Sequence, residues 1–179
     1  MKLAIADPPY PGQAAKHYGD HPDYAGEVNH MDLIKRLDAD YDGWALHTTS
    51  TALSQVLIMA AAQGVTDFRI MAWFKPFAAF KRNVSVAYAW EPILVKPARK
   101  PVVRHRVVMR DWIEESEPTE EAVRESITMR RGLTGAKPEK VCHWLFEMLG
   151  AEAGDTLDDL YPGTGAITAA WQSWREAYA

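Results

Sequence analysis

Short runs of apolar residues recur along the chain, separated by segments rich in glycine, proline and charged residues. Such runs are typical of strands that are covered on both faces of a sheet. They predict five strands, over 3–6, 43–48, 68–74, 84–95 and 156–160. We expect the fourth strand to be antiparallel to its neighbours and to close one edge of the sheet.

Between these runs, apolar residues recur at helical spacing. They predict helices over 29–37, 51–63, 137–149 and 166–178. Asn29 is expected to cap the first helix, and Ser50 or Thr51 the second. A further amphipathic helix is predicted within 118–129. Alternating strands and helices favour an α/β fold: a three-layer sandwich around a mostly parallel sheet of about five strands.

The length of 179 residues and the hydrophobic content of 47% suit a single domain over 1–179, with an insertion at about 96–133. No apolar stretch of about 18 residues predicts a membrane span, and the first residues lack a secretory signal pattern. We therefore expect a cytoplasmic protein. The single cysteine, Cys142, excludes an intramolecular disulfide framework and is expected to be a small core residue.

The net charge of -4 hides an uneven distribution along the chain. The segment 96–110 contains basic residues and no acidic ones, whereas 111–125 is strongly acidic. A nucleic acid would be attracted to the first segment and repelled by the second. The alternative is that both are solvated faces whose opposite charges pair. The candidate nucleic-acid contacts are Lys75, Arg99, Lys100, Arg104 and Arg106.

Two short motifs follow the first and the last predicted strands. Residues 7–10 read Asp-Pro-Pro-Tyr, and residues 159–165 read Asp-Leu-Tyr-Pro-Gly-Thr-Gly. Open α/β sheets bind ligands at the carboxyl ends of their strands, so both motifs are expected to face one crevice. Each motif alone is better explained as a turn after a strand, and the specific signal is their combination.

Three further segments complete the pattern: Gly-Ala-Lys-Pro-Glu-Lys at 135–140, Trp-Phe-Lys-Pro at 73–76 and Trp-Glu-Pro-Ile-Leu-Val at 90–95. Together with the two motifs, they resemble the S-adenosylmethionine-dependent methyltransferases that modify exocyclic amino groups of nucleic-acid bases. The order is the permuted one, in which the catalytic tetrapeptide precedes the cofactor loop, and the MT-A70-like group is included in the resemblance. It implies a Rossmann-like methyltransferase fold with S-adenosylmethionine as cofactor.

The resemblance also implies residue roles. Asp7 would accept one hydrogen of the target amino group and the carbonyl of Pro8 the other, while Tyr10 would stack on the extruded base. The catalytic residues implied are Asp7, Pro8, Pro9 and Tyr10. The cofactor-binding residues implied are Lys137, Asp159, Tyr161, Pro162, Gly163 and Gly165. Among them, Asp159 would hold the amino group of the cofactor, and Lys137 its carboxylate.

The sequence departs from the family after the glycine loop, where only one helix follows before Ala179. A full enzyme of this type has two further strands there, so we expect a truncated fold. No metal site is predicted. His17 and His21 have a spacing suitable for a metal, but the sequence offers no distant motif to complete the ligand set.

Three functions stay open. The first is methyl transfer to a base amino group, with adenine N6 in DNA preferred and RNA as the alternative substrate. The second is a non-catalytic methyltransferase-like subunit that binds nucleic acid or serves as a scaffold. The third is methyl transfer to a small amine or a protein amide. For the first, a second copy of the chain or a partner subunit would help to recognise the target.

Overall fold

The computed structural model describes residues 1–12, 14–15, 26–75, 85–86, 88–100, 108–114 and 137–178. Its strands are β1 Lys2–Ala6, β2 Gly43–His47, β3 Arg69–Phe74, β4 Trp90–Lys96, β5 Trp112–Glu114 and β6 Thr156–Asp159. Its helices are α1 His30–Asp40, α2 Leu53–Ala62, α3 Glu139–Met148 and α4 Ala166–Tyr178. The predicted helix within 118–129 lies outside the described residues.

The strands form one six-stranded sheet in the order β5-β3-β4-β2-β1-β6. β1 is parallel to β2 and β6, and β3 is parallel to β5, whereas β4 is antiparallel to both β2 and β3. The mostly parallel sheet is therefore confirmed. The antiparallel direction of the fourth strand is confirmed as well.

Two predictions about the sheet are wrong. The fourth strand lies between β2 and β3 instead of closing an edge, and its residues 91–95 are buried because both of its sides are paired and both of its faces are covered. The sheet also has six strands rather than five. The additional strand, β5, has only three residues, too few for a periodic signal, and lies within the predicted insertion.

Helices cover both faces of the sheet. On one face, α3 and α4 pack over apolar side chains that include Leu3, Ile5 and Ile93. On the other face, α1 and α2 pack over a second cluster that includes Leu46 and Leu94. The two clusters confirm the three-layer sandwich, because neighbouring residues of one strand point to opposite faces.

The helix starts agree with the sequence in one case and not in another. The side chain of Asn29 accepts hydrogen bonds from the backbone N–H groups of Met31 and Asp32, at 3.1 and 3.3 Å, and caps α1 as predicted. The predicted cap of α2 is wrong, because that helix begins after Ala52, which donates a hydrogen bond to Thr49 Oγ1 at 3.2 Å.

Cys142 is buried in α3, as expected, and burial raises the pKa of its thiol to about 12. Such a thiol is a packing residue rather than a nucleophile. Among the described residues, no helix has the length and apolar character needed to cross a membrane.

Candidate active site at the carboxyl edge of the sheet

The two motifs meet at one edge of the sheet. Asp7 directly follows β1, and Asp159 is the last residue of β6, where it pairs with Ile5. The two aspartates are close enough for the charge of Asp7 to affect the pKa of Asp159. The expectation that 7–10 and 159–165 share an edge is therefore met in the structure.

β4 brings another acidic residue to the same edge. Because β4 is antiparallel to its neighbours, its first residues lie beside the carboxyl ends of β2 and β3. Glu91 pairs with Trp73 of β3, and Ile93 pairs with His47 at the end of β2. Glu91 and His47 are both buried, although each has a polar side chain.

Lys137, which stands two residues before α3, joins two of these carboxylates. Its ammonium donates a hydrogen bond to Asp7 Oδ2 at 2.6 Å and lies 3.5 Å from Glu91 Oε1. The side chain of Lys137 is 7% exposed, that of Glu91 6%, and that of Asp7 21%. Asp7 is thus the member of this group that remains partly open to solvent.

Glu91 has two further partners. His47 Nδ1 lies 2.6 Å from Glu91 Oε1, and Lys75 Nζ donates to Glu91 Oε2. The ammonium of Lys75 also lies over the indole ring of Trp73, 3.9 Å from its centroid, in a cation–π contact. Lys75, which was predicted as a nucleic-acid contact, therefore lies at the site and is paired there.

This grouping has clear electrostatic consequences. Burial alone would raise the pKa of Glu91, but Lys137, His47 and Lys75 together hold it well below its usual range. Burial would lower the pKa of Lys137, but Glu91 and Asp7 outweigh that effect and raise it. Both members of the buried pair are therefore ionised at neutral pH.

The same residues have the spacing of a metal site. Asp7, His47 and Glu91 each place one ligand atom within 4.8 Å of the others. The ammonium of Lys137 already lies against two of these three side chains and supplies positive charge to them. His17 and His21, for which no metal site was predicted, lie outside the described residues.

The glycine turn after β6 leaves open space beside the backbone. Gly163 and Gly165 have backbone φ values of 45° and 75°, which residues other than glycine rarely adopt. A Cβ at Gly165 would have no atom within 4 Å, and one at Gly163 would meet only a backbone oxygen at 3.9 Å. Pro162 and Gly163 are exposed and Tyr161 is half-buried. The turn can therefore accept a ligand close to its backbone.

Asp159 lies directly before this turn with one oxygen unsatisfied. Its Oδ1 accepts a hydrogen bond from the backbone N–H of Tyr161 at 3.3 Å, but its Oδ2 is buried and has no hydrogen-bond partner among the described residues. Burial raises the pKa of Asp159, and the nearby Asp7 carboxylate adds to the effect. A buried acceptor without a partner is uncommon, and its place before the glycine turn makes it a candidate contact for a ligand.

The basic segment does not reach this edge in its described part. Arg99 follows the end of β4, at the opposite edge of the sheet, and donates hydrogen bonds to Asp155 and to the carbonyl of Gly150. Lys100 is the next residue along the chain. Arg104 and Arg106 lie outside the described residues. The structure thus groups Lys75 with the motif at 7–10 and separates Arg99 and Lys100 from it.

Glu91 is the site residue that sequence reasoning assigned no role. The available signal was a glutamate near the start of a strand, followed by the apolar residues 92–95. A carboxylate is buried in such a place only when it has polar partners. The sequence placed His47 correctly at the end of a strand. It did not link either residue to Lys137.

A solved structure has this architecture with little sequence identity. This chain is similar to the protein in the crystal structure of the M1.HpyAVI–SAM complex. The match covers 97% of this chain and 77% of that chain, with a TM-score of 0.60 and 13% sequence identity. This chain has a Rossmann-like methyltransferase fold. No protein-family model matches the sequence, and no curated protein matches it.

Proposed function

We propose that this protein transfers the methyl group of S-adenosylmethionine to an exocyclic amino group of a nucleic-acid base, with adenine N6 in DNA as the target. The observation that carries the proposal is the shared edge of the sheet. There, the partly exposed carboxylate of Asp7 lies beside a glycine turn with open space and beside a buried, unsatisfied oxygen of Asp159.

The residues at this edge fit the cofactor. Gly163 and Gly165 let a ligand approach the backbone, and Asp159 Oδ2 offers an acceptor for its amino group. Tyr161 and Pro162 would flank the ligand. The cofactor supplies a methyl group already activated on a sulfonium, so the chain itself has to bind, align and accept hydrogen bonds.

The acceptor nitrogen sets the task for the catalytic tetrapeptide. An aromatic amino group is a poor nucleophile, because its lone pair is delocalised into the ring. Asp7 Oδ2 is occupied by Lys137, which leaves Oδ1 to accept one amino hydrogen, while the carbonyl of Pro8 accepts the other. Pro9 fixes the chain between them, and Tyr10 stacks on the base, which adds about 1–3 kcal/mol.

Several features favour a nucleic-acid base over a small amine. The tetrapeptide begins with aspartate and ends with an aromatic residue that has a face for stacking. The ammonium of Lys75, which pairs with Glu91 and is 31% exposed, is a further candidate contact for a phosphate of an extruded nucleotide. The M1.HpyAVI–SAM complex, which has the same fold, also contains this cofactor, and that supports the choice of cofactor here.

The proposal is tested by incubating the purified protein with S-adenosylmethionine labelled in its methyl group and, in parallel reactions, with duplex DNA, RNA, a small amine or a protein, followed by analysis of the labelled product. We expect label in N6-methyl-2′-deoxyadenosine, and we expect Asp7→Ala to reduce kcat by at least about 100-fold. Label only in RNA, or only in a small amine or a protein, would reject DNA as the substrate. No transfer to any of them would support the non-catalytic alternative.

Asp38→Ala is the matched control. Asp38 accepts a hydrogen bond from Lys96 at 2.6 Å, the same distance as the pair of Lys137 and Asp7, but Lys96 ends β4 at the other edge of the sheet. The control removes an equivalent ion pair without touching the site. Equal losses of activity in Asp7→Ala and Asp38→Ala would contradict the role of Asp7.

A further inference from the structure

Glu91 is a buried carboxylate for which methyl transfer itself gives no direct task. Its side chain is 6% exposed, and its polar contacts among the described residues are to groups of the site: His47 and Lys137 at Oε1 and Lys75 at Oε2. A buried carboxylate is costly unless it is paired and hydrogen-bonded. One of its partners, Lys137, also contacts the catalytic aspartate, Asp7.

Lys137 is the connection. Its ammonium has two carboxylate partners, Asp7 at 2.6 Å and Glu91 at 3.5 Å, and lies 5.3 Å from the centroid of the Trp73 ring. A lysine side chain has four flexible bonds, so its ammonium is fixed only where several partners hold it. Glu91, itself anchored on the buried ring of His47, is the rigid member of this set.

Asp7 needs such an anchor. It follows β1 on a segment with no regular secondary structure, and its side chain is 21% exposed. Among the described residues, the ammonium of Lys137 is the only hydrogen-bond donor to its carboxylate. The orientation of the carboxylate, and therefore the oxygen that is left for the target amino group, depends on where Lys137 lies.

We propose that Glu91 is a positioning residue that holds Lys137 against Asp7 Oδ2 and so presents Asp7 Oδ1 to the amino group of the base. This inference rests on the proposed function and deepens it. It also gives Lys137 a different task from binding the carboxylate of the cofactor. A misplacement of about 1 Å in a reacting group costs about 100-fold in rate, so the effect of Glu91 belongs in kcat.

The test is Glu91→Gln, which keeps the size of the side chain and removes its charge. We expect kcat on adenine-containing duplex DNA to fall about 10- to 100-fold. The Kd for S-adenosylmethionine, measured by calorimetry on the same protein, should change by less than about threefold, because the glycine turn is untouched. Asp38→Asn is the matched control and should keep the wild-type kcat.

Two results would overturn the proposal. One is a wild-type kcat in folded Glu91→Gln. The other is a loss that appears in the Kd for S-adenosylmethionine and in the KM for it with kcat unchanged, which would assign Lys137 and Glu91 to cofactor binding. If the wild-type protein itself shows no methyl transfer, the proposed function fails first, and that outcome is distinct from both.

Glu91→Gln leaves two lysines without their buried partner and is at risk of misfolding. The double variant Glu91→Gln/Lys137→Gln removes one charge of each sign and avoids a buried Lys137 with Asp7 as its one remaining carboxylate partner. If the single variant does not fold, the double variant is compared with Lys137→Gln. The same reduced kcat in both supports the proposal, because Glu91 then acts only through Lys137, and a wild-type kcat or a further loss in the double variant overturns it.

Discussion

The two edges of the sheet each contain a carboxylate with a basic partner, and the two pairs differ in how far the carboxylate is buried and in how many of its hydrogen bonds are made within the protein. At the amino edge, Asp155 accepts hydrogen bonds from Arg99, from the amino group of Met1 at 2.6 Å and from the backbone of Glu152 at 2.9 Å, and its side chain is 4% exposed. At the carboxyl edge, Asp7 has Lys137 as its only hydrogen-bond donor among the described residues, and its side chain is more exposed, at 21%.

The comparison shows that an ion pair alone does not reveal function. The pair of Arg99 and Asp155 joins the segment after β4 to the residue before β6, and its hydrogen-bonding capacity is used within the protein. Within the described part of the chain, the pair of Lys137 and Asp7 leaves one carboxylate oxygen of Asp7 without a hydrogen-bond donor. A satisfied carboxylate stabilises the fold, whereas one with spare capacity at a crevice can act on a substrate.

The strongest way to break this comparison is to remove both aspartates separately. Asp155→Ala should lower the free energy of unfolding by about 3 kcal/mol, because Arg99 is left without its buried partner. The kcat of the protein that remains folded should be unchanged. Asp7→Ala should show the reverse, with a large loss of kcat and a small change in stability. Urea unfolding and methyl-transfer kinetics on the same preparations measure both quantities.

Glycine positions sharpen the comparison at the level of the cofactor. Gly163→Val should weaken the binding of S-adenosylmethionine by about tenfold or more, since the new side chain fills the open space beside the turn. The left-handed backbone should also lower the stability of the variant by about 1–2 kcal/mol, because valine is branched. Gly64→Val is the matched control. Gly64 has a φ of 71° and no atom within 4 Å of a built Cβ, but it lies after α2, away from the site.

Calorimetric titration of the two glycine variants separates backbone strain from ligand contact. Both should lose stability, and Gly163→Val alone should lose affinity. Equal affinities in the two variants would mean that the turn after β6 does not contact the cofactor.

The smallest expected effect is the pH dependence of stability. The pKa of Asp155 is lowered in the folded protein: burial opposes the shift, and Arg99 with the other donors outweighs it. A lowered pKa contributes stability above the unfolded value of 3.8, and this contribution is lost as the pH falls below it. Asp155→Asn should therefore lose less stability than the wild type between about pH 5 and pH 3, measured by urea unfolding. An identical acid dependence in both proteins would contradict this role of Asp155.

Much of the fold follows from local sequence. The apolar runs and helical spacing located nine of the ten described elements, because strands buried on both faces read as continuous apolar stretches. The strand β5 was missed because three residues carry no period. The misplaced cap of α2 reflects a local competition among several polar residues, in which Thr49 binds the backbone of Ala52.

The motifs at the candidate site were predictable from the sequence, whereas the contacts between their side chains were not. The tetrapeptide and the glycine turn follow parallel strands, so their shared edge follows from topology. The antiparallel direction of β4 decides where its two ends lie. Glu91, at the start of the strand, lies at the site, and Arg99, after its end, lies at the opposite edge. The contact between Lys137 and Asp7 joins residues 130 positions apart, which no local pattern encodes.

The most direct test of the account is a calorimetric titration of the unaltered protein with S-adenosylmethionine. We predict saturable binding at one site per chain. No heat of binding, either with the protein alone or in the presence of duplex DNA, would contradict the assignment of the carboxyl edge as a cofactor site.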